Sequence, residues 1–256
     1  MKIEPLFYLG IDPSQRYKPY VYAALDASRR IVALGSGPLR EILSYASGLA
    51  SVIVSINGPQ CTNQGLFAEA NREQKLFPLE TVKDEDMRLV EAEIAKEGVR
   101  ITPTPARMED CKMWVRRGFK LYAKLQKLGY AQYPLARERI YCESMAEAIF
   151  SRLIGAALLF EEATLEGRLQ RQLILFEQKI AVKDAMSFFD EATRFRLING
   201  ILPLENIYQS GELNALACAY LAWMLAHKTD QTERLGDERE GNLFVPLKAE
   251  RIRLQE

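Results

Sequence analysis

One histidine, His227, is all that the 256 residues offer. A His-rich metal site is thereby excluded, and a Ser-His-Asp apparatus is left without a well-placed base. His227 falls in the last turn of an expected helix, where it suits the C-terminal end of the dipole. The four cysteines, Cys61, Cys111, Cys142 and Cys218, are far apart with no C-x-x-C pair, so neither a structural zinc site nor a disulfide framework is expected. That usage fits a reducing cytoplasm. An excess of charge is also missing: 34 basic residues face 34 acidic ones. Any pull on a polyanion must come from local patches, and a generally basic nucleic-acid binder is excluded. No run of about 18 uncharged apolar residues exists, and Glu4 and Pro5 stand where a signal peptide needs an apolar stretch, so neither membrane insertion nor export is expected. Gly35-x-Gly37 lacks the third glycine and the lysine of the nucleotide motifs, which argues against nucleotide binding and against a kinase-like relative.

What is present is a core-forming chain, 48% hydrophobic and 27% charged, long enough for one sizeable domain. The spacing predicts strands at Leu6–Ile11, Tyr20–Leu25 and Ile31–Leu34 as an antiparallel meander, then a helical stripe over Leu39–Leu49. Val52–Ile56, β-branched and nearly all apolar, reads as a strand buried on both faces and parallel to the first. Helices are expected at Asn63–Gln74, Asp84–Lys96 and Asp110–Leu128, the last two separated by the stiff link Thr102-Pro103-Thr104-Pro105. A short strand, Arg139–Cys142, leads to a helix over Ser144–Leu153. The remainder reads as helical, most clearly Glu212–Ala226, whose alanines permit close approach to a sheet. Residues 1–247 thus form one domain with a helical insertion at about 60–134, and 248–256 make a loose charged tail.

Three strand ends meet polar residues, Asp12, Asn57 and Glu143, and the Glu212–Ala226 helix can bring Glu212 or Asn214 to the same edge. In an open α/β sheet, ligands bind in the crevice outside the carboxyl ends of the strands. Carboxylates converging there can hold magnesium or manganese through hard oxygen ligands and activate water. Taken singly, Asp12 also reads as a turn residue before Pro13, and Glu143 as an acid balancing a helix N-terminus. A second feature is the four-residue step Lys112, Arg116, Lys120, Lys124, with no acid between Cys111 and Gly129 and an apolar stripe opposite. It can track phosphates, or simply face solvent. Trp114 and Trp223 sit among apolar residues at helical spacing and read as core. Cys142 and Cys218, with no base identifiable nearby, read as core too.

Several fragments, in order, resemble one family. They are Gly10-Ile11-Asp12; Ile56-Asn57-Gly58-Pro59; Thr104-Pro105 followed by Met113-Trp114 and Gly118-x-x-Leu121-Tyr122; Tyr141-Cys142-Glu143; Glu166-Gly167-Arg168-x-x-Arg171; Glu212 through Ala219; and Leu235-Gly236-Asp237 with Glu240-Gly241 and Val245-Pro246. Across nearly its whole length the chain is similar to the domain-of-unknown-function family 429, regarded as predicted RNase H-like nucleases. That resemblance implies a mixed five-stranded sheet flanked by helices. It also implies a magnesium- or manganese-dependent phosphodiesterase site at Asp12, Asn57, Glu143 and Asn214, acting on DNA or RNA. Asn57 and Asn214 stand where the family usually carries Asp, so two of four anionic ligands are neutral here. One such group can be worth about 3 kcal/mol in the transition state, and two independent losses would slow hydrolysis by roughly four orders of magnitude. Replacement carboxylates are expected, if anywhere, from Glu212, Asp237 or Glu240. The leading expectation is a weakened metal-dependent nuclease; its rival is a catalytically silent member that binds nucleic acid or a protein.

Overall fold

A computed structural model describes residues 7–13, 19–74 and 87–250. Its framework is a mixed sheet of eight strands. The meander consists of β1 (Phe7–Asp12), β2 (Tyr20–Leu25) and β3 (Ile31–Gly37), paired antiparallel in turn. Helix α1 (Leu39–Ser47) returns the chain so that β4 (Val52–Asn57) lies parallel to β1. Helices α2 (Leu66–Gln74), α3 (Leu89–Ala95) and α4 (Met113–Lys127) follow, then the two-residue strand β5 (Ala131–Gln132) and β6 (Arg139–Ser144), parallel to β4. After α5 (Ala146–Ile154), α6 (Leu165–Glu177), the short α7 (Ser187–Glu191) and α8 (Arg194–Ile198), and α9 (Ser210–His227), the chain ends in the hairpin β7 (Thr232–Asp237) and β8 (Gly241–Pro246). The strand order is β3-β2-β1-β4-β6-β8-β7, with β5 beside β6.

The expected five strands are therefore extended to eight. β7 is the element that periodicity misses, because Thr-Glu-Arg-Leu-Gly-Asp carries one apolar residue and reads as loop or helix end. It is an edge strand whose residues are half-buried or exposed. Its partner β8, whose apolar run Leu243-Phe244-Val245 is short, is buried throughout. The segment expected as an insertion is not wholly separate: Leu121, Tyr122 and Leu125 of α4 pack in the core against β1 and β4. Part of the helix expected from Asp84 lies outside the described residues, as does most of the tail from Lys248. The described start of that tail is tied down, with Ala249 N–H donating to the Arg152 carbonyl.

The two sheet faces are covered differently. Leu9, Ile11, Val54, Ile56 and Tyr141 face α1 and α4, whereas Tyr8, Ile53, Cys142 and Phe244 face α9. Residues Leu213 to Leu225 of α9 are buried without interruption. A helix apolar on all sides belongs inside, and this one lies across the sheet with α5 and α6 against it. Gly10 makes that possible: a Cβ there would stand 1.9 Å from the Ala215 carbonyl oxygen. No helix among the described residues is long and apolar enough to cross a membrane.

Candidate functional site

Strand register decides which side chains can meet. Ile11 pairs with Ile56, and Ile56 with Glu143; one step on, Asn57 pairs with Ser144. In-register neighbours share a face and successive residues alternate. Asp12, Asn57 and Ser144 therefore point toward α9, while Glu143 points to the opposite face with Ile11 and Ile56. The four expected site residues all line one crevice of about 690 Å³ at the carboxyl ends of the strands, but they enter it from two sides.

Toward α9, three of the four form one cluster. Asp12, 6% exposed, accepts from Asn57 Nδ2 through Oδ1 at 3.3 Å and from Asn214 Nδ2 through Oδ2 at 3.4 Å. The amide of Asn57 is oriented by the helix beyond it. Its Oδ1 accepts the Ala146 N–H at 2.9 Å, satisfying one of the orphan donors at the start of α5, so only its N–H₂ end is left for Asp12. Asn214 also donates to Glu162 Oε2 at 3.4 Å, so two carboxylates converge on one amide nitrogen. The first turn of α9 lies alongside, with Gly211 so close that a Cβ on it would be 3.4 Å from Asp12 Oδ2, and the positive end of an 18-residue helix favours the anion there.

On the other face, Glu143 has an internal counter-ion. Arg88, 1% exposed, forms a bidentate pair with it through Nη1 and Nη2, the Nη1 contact being 3.1 Å. Gln60 N–H donates to the same carboxylate at 2.7 Å. Arg88 Nε donates to Glu91 at 3.0 Å, and Glu91 accepts the backbone N–H of Thr104 at 2.9 Å. Burial pulls the Arg88 pKa down, but the charge and hydrogen bonds of Glu143, then those of Glu91, outweigh it and leave it raised. The network fastens the segments around Gln60, Arg88 and Thr104 to the end of β6.

The expected replacement carboxylates are all engaged elsewhere. Glu212 turns back to accept the Gln209 N–H at 2.7 Å and completes a capping box at the start of α9. Glu240 is buried and accepts the N–H groups of Gln64, Leu66 and Leu89. Asp237 accepts Arg239 N–H within the β7–β8 turn. The carboxylate that does reach Asp12's cluster is Glu162, which sequence reasoning missed because it stands in a loop with no motif around it. Arg88 was missed for a related reason: its partner is 55 residues away.

As oriented, the four expected residues do not converge as a ligand set for a pair of magnesium or manganese ions. Ligands must offer lone pairs, yet the amides turn N–H groups toward Asp12, the Asn57 oxygen already accepts from the start of α5, and Glu143 is held by a guanidinium on the far side of the sheet. Arg88 neutralises Glu143, whereas Asp12 is met only by the uncharged amides of Asn57 and Asn214.

The rim carries other chemistry. Trp114, expected in the core, is half-buried and lines the crevice, its ring against Gly58. Arg100 and Arg171 at the wall are paired with Glu161 and Glu147. Lys112 is exposed, donates to Thr102 Oγ1 at 3.4 Å and has no carboxylate partner among the described residues. Along α4, Lys120 and Lys124 are exposed as expected, while Arg116 is withdrawn: its Nε donates to the Cys111 carbonyl at 2.9 Å and its Nη2 to that of Glu109. Lys124 joins Arg40 and Lys127 at a groove between α1 and α4. In comparisons with known proteins, the chain matches no family model, no curated protein and no solved structure.

Proposed function

We propose that this chain is an RNase H-like domain that holds a strand of nucleic acid at the carboxyl-end crevice without hydrolysing it. The observation that carries the reading is the pair of amide nitrogens donating to Asp12, with Glu143 turned to Arg88 on the opposite face. The meander β1–β2–β3 joined to parallel β4 and β6 supports the fold assignment, since it is the mixed arrangement that the resemblance implies. Trp114 and Lys112 at the crevice rim support the ligand class: an indole offers a stacking platform for a base, and an exposed lysine offers a phosphate contact. Lys120 and Lys124 continue that positive edge along α4.

The test is fluorescence anisotropy with labelled single-stranded DNA and RNA of about 20 nucleotides, run beside a cleavage assay containing millimolar magnesium or manganese. Binding that weakens with salt and no cleavage are expected. Trp114→Ala should weaken binding by roughly 5-fold or more, the stacking contribution of one base. Lys112→Glu should reduce the salt slope by about 1. Asn57→Asp with Asn214→Asp places carboxylates against Asp12, and that variant should melt earlier than the parent and recover with manganese. Cleavage by the natural chain, abolished by Asp12→Ala, would overturn the proposal in favour of hydrolysis.

A further inference from the structure

The segment between α6 and α9 is built in a way that neither the fold nor the crevice requires. Its two ends are stapled by Gln172 of α6, which is fully buried. Gln172 Nε2 donates to the carbonyls of Lys183 and Asn206, each at 2.8 Å, and its Oε1 accepts the Tyr208 N–H at 3.0 Å. One side of the excursion is anchored, with Phe188 and Ile207 packed against Leu169 and Ala185 in a satellite core. Asn206 also donates to Glu191 at 3.2 Å, closing the base.

The other side faces outward and is apolar. Phe189, Phe195, Leu197, Ile198, Ile201 and Leu202 are all exposed, Phe195 by 73% and Ile198 by 77%. Side chains of this size, exposed to that degree within one stretch of the chain, present on the order of 700 Å² of apolar surface in sum. It is close to the roughly 800 Å² per partner of a standard interface.

We infer that this face is the interface of a two-fold dimer of the chain. A two-fold contact places the same patch on both sides, so the patch must complement itself in charge as well as shape. Here Glu191 and Arg196 pair within the chain at 3.5 Å, which leaves the exposed Asp190 and Arg194 as the opposite charges that can cross the axis to each other. A face selected for anionic lipid or nucleic acid would carry a basic excess instead. The whole chain has no net charge, so two copies approach without long-range repulsion. The stapled base lowers the cost further, because an ordered platform loses little freedom on docking.

Sedimentation velocity from about 1 to 100 μM decides the matter. The expected result is a species of twice 29.1 kDa, converted to the single mass by Phe195→Asp with Ile198→Asp while the thermal melt stays cooperative. Both positions are exposed, so the monomer's core is untouched. Should the variant not fold, hydrogen exchange on the unaltered chain gives the same answer: protection over residues 189–204 should rise with concentration. A natural chain monomeric at 100 μM, a double variant that remains dimeric, or a monomer that instead sediments with lipid vesicles would each overturn the inference.

Discussion

At the scale of single residues, the site is governed by which groups satisfy buried charge. Glu143 and Arg88 are both almost wholly enclosed, and a buried pair is costly to break because the survivor is left uncompensated. Glu143→Gln should therefore destabilise the fold by about 3–5 kcal/mol, read as a lower urea midpoint with an unchanged slope. A carboxylate whose only duty was to bind a cation would give little or no loss, and often a gain, when neutralised. The experiment thus separates a structural Glu143 from a ligand. Asp12 is satisfied in a different way. Two amides, at 3.3 and 3.4 Å, and the start of α9 face its carboxylate.

At the scale of elements, the contact of β1 with α9 sets the geometry of everything at the crevice. Asp12 ends β1 and Asn214 lies one turn into α9, so their meeting depends on how closely helix and strand approach. Gly10 sets that distance. Gly10→Ala would place a Cβ 1.9 Å from the Ala215 oxygen and 2.4 Å from the Ala219 nitrogen, both backbone atoms that cannot swing aside. Overpacking of this kind costs about 1–3 kcal/mol or more. We expect the variant to melt lower by several degrees, with weaker oligonucleotide binding because Asn214 moves off Asp12. Calorimetry on the variant checks the first effect and anisotropy the second. The alanine-rich composition of α9 announced such an approach; which strand it approaches was not written in it.

At the scale of the whole molecule, burial controls the response to alkali. Burial pushes the Cys61 thiol up to about 11, against a smaller lowering by Arg88, and Cys142 up to about 12. It pushes Tyr130 to about 12 as well. In the unfolded chain these groups lose their protons near 9 and 10, so the folded state binds protons more tightly across that interval. Their contribution to stability is present below pH 9 and is lost as the pH rises through 9 to 12. Melting temperatures measured from pH 8 to 11 should fall progressively, by at least about 10 °C. A flat profile would show that these groups are solvated. The same burial predicts slow alkylation of Cys142 at neutral pH, since the thiolate is the reactive form.

Much of the architecture was legible locally. The meander, α1, β4, β6 and α9 follow from hydrophobic period, β-branching and turn residues, all properties of consecutive positions. So was the convergence of Asp12, Asn57 and Asn214 on one sheet edge, which needs only strand ends and a late helix. What local pattern could not supply is pairing. Whether Glu143 or Ser144 shares a face with Asp12 depends on register between strands, where a shift of one residue exchanges the two faces of a sheet. That Arg88 neutralises Glu143, that Glu162 reaches Asn214, and that polar β7 is a strand at all are consequences of contacts between segments distant along the chain. The sequence by itself determined the elements and the inventory of charges; tertiary packing alone decided which charge meets which, because hydrogen bonds and ion pairs act over a few ångströms and carry no imprint on neighbouring residues.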